Sequence, residues 1–142
     1  MKINSVFANG GNIQPEYTCD GQDKTPPLEV SEVPANAKSL ALVVDDPDAP
    51  MGTWDHWILW NIPPNTTLID KQIGIAGRNS WGKTNYGGPC PPSGTHRYFF
   101  KLYALDLMLD LPAGSNKAAL EKAMKGHILE ETALMGKYSR QK

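Results

Sequence analysis

Apolar residues in this chain gather in short runs that proline and glycine cut off, and three of these runs dominate. Residues 39–44 (SLALVV) are nearly continuously apolar and too short for a stable helix, which predicts a strand buried on both faces. Residues 56–62 (HWILWNI) are aromatic and β-branched and stop at Pro63-Pro64, predicting a second central strand. Residues 96–105 (HRYFFKLYAL) alternate, so His96, Tyr98, Phe100 and Leu102 share one face of a third strand and Arg97, Phe99, Lys101 and Tyr103 the other. Weaker runs at 3–7, 28–30, 67–70 and 133–139 predict shorter strands. One helical stripe, Ala118, Ala119, Leu120, Ala123 and Met124, follows LPAGSN; it predicts a helix capped by Ser115 that ends at Gly126 or runs on through HILEE. The segment 74–95 carries almost no periodic signal, and Trp81, Tyr86 and Cys90 within it suit an ordered, functional loop.

The whole, residues 1–142, reads as one mainly β domain in which 12 prolines and 13 glycines punctuate strands instead of forming a low-complexity tract. Charge narrows the partners: 14 basic against 15 acidic residues leave no basic excess for a nucleic-acid backbone or a polybasic membrane patch. The N-terminus MKINSVFANGGN lacks the apolar stretch of a signal peptide, and no apolar run approaches the ~20 residues of a membrane span, so a soluble, cytoplasmic protein is expected. Cys19 and Cys90 are expected as free thiols, because a domain able to build its own core needs no disulfide.

Unusual polar groups concentrate at strand ends: DDPDAP at 45–50, WDHW at 54–57 and YGGPCPPSGTHRY at 86–98. Asp46 and Asp48 either cap turns or serve a site by accepting from a ligand or polarising His56; Pro47 and Pro50 stiffen them, with a cis peptide among the options. Asp45 is the structural one. His56 and His96, each beside an aromatic residue, suggest a shared polar pocket, whereas His127 has no such company. A zinc or iron site would use the same side chains but lacks a compact ligand motif. A hydrolase with Cys90 or Ser93 as nucleophile and His96 as base lacks a helix N-terminus behind Cys90. An anion pocket uses more of the pattern: Gly87 and Gly88 for close backbone approach, His56 and His96 as donors, and the Tyr98 hydroxyl.

These motifs, with YTCDG at 17–21 and the closing GHILEETALMGKYSR, resemble the phosphatidylethanolamine-binding protein family, also called Raf kinase inhibitor-like proteins, in its prokaryotic branch. The resemblance implies a large antiparallel sheet packed on a smaller one, with a helix near the C-terminus beside the pocket. It implies a site in which Asp46, Asp48, His56, His96 and Tyr98 line a cavity for phosphate or phosphorylated head groups; the convergence of these residues without an activated nucleophile points to binding without catalysis, and no cofactor is expected. Pro50 and Trp54 would shape its rim, and Cys90 would present a backbone group to the ligand. Implied partners are a phosphorylated small molecule or phospho-side chain, a kinase, a protease inhibited through an exposed loop, and a second copy in a homodimer. Two departures bear on the ligand. Asp55 stands where eukaryotic members have a histidine beside His56, which adds negative charge near the rim, and the chain ends soon after GKYSR without their C-terminal extension.

Overall fold

The three strong runs form the centre of one sheet. In the computed structural model, which describes residues 1–140, they are β3 (Ser39–Asp46), β4 (Trp54–Ile62) and β7 (Thr95–Leu105). With the two-residue β6 (Ile75–Ala76) and β8 (Ile128–Ser139) they make a five-stranded sheet, β6-β4-β3-β7-β8, in which every pairing is antiparallel. A three-stranded antiparallel sheet, β1-β2-β5, combines β1 (Lys2–Asn4), β2 (Leu28–Ser31) and β5 (Leu68–Ile69).

Both faces of the large sheet are covered, so all eight residues of β3 are buried, as its unbroken apolar run requires. On one face Leu40, Leu42, Val44, Trp57, Leu59, Phe100 and Leu102 pack with Ile3, Leu28, Val30 and Ile69 of the small sheet. On the other, Ala41, Val43, Ile58 and Trp60 pack with Leu120 and Met124 of the helix α1 (Lys117–Met124). Burying each such large apolar side chain contributes roughly 1.5–3 kcal/mol, so the two cores hold the strand ends rigidly.

Several expectations need correction. The helix is capped by Asn116, whose side chain accepts from Ala119 N at 3.0 Å; the Ser115 hydroxyl donates instead to the Pro112 carbonyl. The helix stops at Met124, and Gly126, at φ +83, turns the chain so that HILEE enters β8 instead of extending the helix. β8 is therefore longer than its apolar end suggested, because pairing with β7 continues into its exposed half. The first strand spans only Lys2–Asn4, and beyond it the Ser5 hydroxyl donates to the Pro27 carbonyl. No cis peptide occurs among the described residues. The free-thiol expectation is also overturned: Cys19 and Cys90 form a disulfide across a sequence separation of 71, with Cα atoms 5.4 Å apart.

Candidate functional site

The ends of β3, β4 and β7 meet around a cavity of about 290 Å³. A β-bulge decides which side chains face it. Val44 opposes Trp57 and the next residue, Asp45, opposes Asp55, so β4 uses two residues where β3 uses one and His56 is the extra residue. The bulge breaks alternation and lets His56 join the face that carries Trp54, Trp57 and Asp46. Asp55 falls on the opposite face beside Asp45, where Lys117 reaches Asp55 at 2.7 Å and Asp45 at 3.4 Å, and Lys101 reaches Asp45 at 3.0 Å. The negative charge expected of Asp55 at the rim is thus turned to the helix side and neutralised.

On the cavity side each imidazole is held by one ring nitrogen. His96 Nδ1 lies 2.6 Å from Asp46 Oδ2, with both residues buried. The other Asp46 oxygen accepts from Asp48 N at 2.8 Å, so one carboxylate both closes the Asx-turn and orients a histidine. His56 Nδ1 lies 2.7 Å from the Gly87 carbonyl, which can only accept, and this places the proton on Nδ1. Burial pushes the His56 pKa below its ordinary value, against the opposing pull of the Gly87 carbonyl and Asp46. The neutral ring, with Nδ1 committed, keeps its Nε2 lone pair available.

Tyr98 stands between the two rings, edge-on to His56 at 5.3 Å and near-parallel to His96 at 6.4 Å. Its ring lines the cavity, but its hydroxyl is buried without a hydrogen-bond partner among the described residues, and burial raises its pKa. Pro50 and Trp54 line the cavity, and so does the disulfide-bonded Cys90, beside Pro91 and Pro92.

Asp48 does not join them. Its carboxylate takes a two-pronged bond from Arg97, Nε to Oδ2 and Nη2 to Oδ1 at 2.9 Å each, and accepts from Arg97 N as well. Arg97 draws the Asp48 pKa down to about 2, and the pair clips the loop after β3 onto β7. The glycines also act differently from the expectation. Gly87 N donates to the His56 carbonyl and Gly88 N to Asp23 Oδ1, so neither amide is free for a ligand. Their value is space: a Cβ on Gly87 would lie 2.3 Å from the Trp81 ring, and one on Gly88 2.3 Å from the Tyr17 carbonyl. His127 pairs with Asp106 at 2.9 Å on the surface, in keeping with a structural role.

Two contributors had no place among the candidates. Trp81 packs edge-on to His56 at 4.9 Å and to Trp54 at 5.6 Å and lines the cavity. Asn79, buried in the loop, holds it there: its amide donates to the carbonyls of His56 and Asn85, and its oxygen accepts from the amides of Trp81 and Lys83. The only sequence signal for either was a lone tryptophan in a loop too long to be idle. Among the described residues no group of three or more His, Cys, Asp and Glu side chains is arranged to hold a metal ion.

Comparison with known proteins accords with this architecture. Residues 3–139 match the family model described as phosphatidylethanolamine-binding protein. A UPF0098 protein of Pyrococcus horikoshii is 49% identical, the match covering 99% of this chain and 77% of that one. Another from Methanothermobacter thermautotrophicus is 50% identical, covering 95% of each. The crystal structure of a phosphatidylethanolamine-binding protein homolog, CT736, from Chlamydia trachomatis superposes with a TM-score of 0.95 at 41% identity, covering 98% of this chain and 97% of that one. E. coli YbcL, described as a member of the mammalian PEBP family, gives 0.89 at 27% identity, covering 99% and 98%.

Proposed function

The chain belongs to the phosphatidylethanolamine-binding protein family, and from that premise we propose that it is a non-catalytic binding protein whose cavity takes a phosphoryl group carried by a small molecule or a protein side chain. The observation that carries this reading is the pair of imidazoles, each fixed through Nδ1 and each bordering the same cavity. Two Nε2 atoms held rigidly by separate strands suit an oxyanion, which accepts from a charged ring and can offer a P–OH to a neutral one. The cavity volume of about 290 Å³ suits a head group better than a long ligand.

Catalysis finds less support at this site. Cys90 is bonded to Cys19 and offers no thiolate, and no base is aimed at Ser93 among the described contacts. An inhibitor reading would use the exposed tip at residues 80–85, which Asn79 braces from its base through the Asn85 carbonyl and the amides of Trp81 and Lys83. Kinase regulation would follow if the captured phosphoryl group belonged to a protein.

Because burial favours neutral His56, anion binding should draw a proton onto it, and affinity should weaken as pH rises. Titration with inorganic phosphate, phosphoserine and phosphoethanolamine, read by the imidazole NMR signals, tests the proposal. Perturbation of both His56 and His96 by at least one of these is expected; silence of both rings towards all three would refute it.

A further inference from the structure

The disulfide stands in the wall of the cavity and, among the described residues, is the one covalent tie between that wall and the 17–23 segment. Before Cys90 the pocket loop is anchored to the 17–23 segment three times: Tyr86 Oη donates to the Tyr17 carbonyl at 2.9 Å, Gly88 N to Asp23 Oδ1 at 2.8 Å, and Cys19 N to the Pro89 carbonyl at 3.1 Å. After Cys90 only the burial of Pro91 holds the chain, without a comparable hydrogen bond. Among the described residues no hydrogen bond holds residues 90–94, and the chain is next secured at Thr95, where it pairs with Ser139 in β8. Cys90, Pro91 and Pro92 nevertheless form one side of the cavity that holds His56 and His96. Cys90 is exposed and Cys19 partly so, which leaves the bond open to attack from solution.

We infer that the Cys19–Cys90 bond is a redox latch on the cavity: oxidised, it holds the 90–92 wall in place; reduced, it releases that wall and weakens anion binding without unfolding the domain. The inference rests on the binding reading above and adds its regulation. The reductant is a dithiol. Its thiolate attacks Cys90 Sγ, the bond to Cys19 breaks, and Cys19 leaves as a thiolate that takes up a proton; the second thiol then attacks the mixed disulfide and frees Cys90. Two electrons and two protons pass to the protein and the dithiol becomes a disulfide. His56 keeps its orientation throughout, because Gly87 lies on the anchored side of Cys90. A reducing compartment would therefore hold a protein with an open wall, and an oxidising one a protein with a preformed pocket.

The test uses the full chain in three states: oxidised, reduced with dithiothreitol, and reoxidised with oxidised glutathione. The double variant Cys19→Ser, Cys90→Ser serves as a permanently open form. Inorganic phosphate is the probe, read by the His56 and His96 NMR signals, and backbone ¹⁵N relaxation is recorded without phosphate. Reduction should weaken phosphate binding about tenfold, as expected when the competent wall is populated only about a tenth of the time, and reoxidation should restore it. Order parameters at Cys90, Ser93 and Gly94 should fall below about 0.6 on reduction, while the Gly88 and Cys19 amides stay protected from exchange. Equal affinity in the oxidised and reduced states would overturn the latch, as would loss of protection at Gly88 and Cys19, which would mean that the whole loop melts. Were phosphate to bind neither state, the binding reading would fall and the regulatory inference with it; a relaxation change confined to 90–94 would then still establish the mechanical role of the bond.

Discussion

Replacing Asp46 by asparagine probes the site at the point where one carboxylate performs two tasks. The amide oxygen of the substitute can still accept from Asp48 N, as Asp46 Oδ1 does at 2.8 Å, so the turn after β3 should survive. The second oxygen, 2.6 Å from His96 Nδ1, becomes an N–H₂ group that can only donate. His96 must then move its proton to Nε2 or lose the contact. A hydrogen bond to a charged group contributes about 1.5–3 kcal/mol, and since both partners are buried little solvent screening reduces it. The variant should lose that order of stability, lowering Tm by roughly 2–4 °C for each kcal/mol in a chain of this size. Phosphate affinity should fall at least tenfold, because the ring that borders the cavity no longer has a fixed orientation. The assay pairs thermal unfolding with ¹⁵N chemical shifts of the histidine ring nitrogens, which separate the two tautomers, and with phosphate titration. An unchanged His96 tautomer together with a phosphate Kd within twofold of the parent would refute the reasoning, whatever happened to Tm.

Two further outcomes follow from the same geometry. His56 has a depressed pKa in the folded state, so the unfolded chain binds more protons below its ordinary value of 6.5; its contribution to stability is complete above pH 6.5 and is lost as pH falls through the folded value. Urea unfolding from pH 7.5 to pH 5 should accordingly show a slope that flattens in His56→Gln, and an identical slope in the two proteins would contradict the assigned burial effect. Gly87→Ala places a Cβ 2.3 Å from the Trp81 ring, which must swing outward; a cost of about 1–3 kcal/mol and a red-shifted tryptophan emission are expected, and unchanged emission would show that Trp81 does not rest on Gly87.

The parts of this structure legible in the sequence are those where burial imposes a pattern. β3 is buried on both faces and β7 on one, so a continuous run and a strict alternation each announced their strand, and with them the shared face of His96 and Tyr98. β8 was visible only where it is covered; its first four residues are exposed, and pairing with β7, which leaves no mark on a single segment, creates the rest. Asp48 and Asp55 were both placed towards the pocket by family resemblance, which carries neither the Arg97 clip on the loop nor the bulge at His56 that turn them elsewhere. The disulfide joins residues 71 positions apart, and the decision against it came from domain size, which bears on need and not on proximity. Asn79 was silent because a buried amide bonded to four backbone groups looks in sequence like any loop asparagine.

The extra residue in β4 means that one of the two imidazoles reaches the cavity by counting as much as by chemistry. Were either position between Trp54 and Trp57 deleted, regular pairing would leave a single residue opposite Asp45, turned towards Lys117. Deleting residue 55 would carry the imidazole to that side; deleting residue 56 would leave the carboxylate there. In both cases the cavity would keep His96 alone, with a hollow against Trp81 where the second ring had been. A change of strand length is thus the mutation that would turn a two-imidazole cavity into a one-imidazole cavity, and in a protein built this way insertions and deletions inside a strand reshape the cavity as directly as substitutions in its lining.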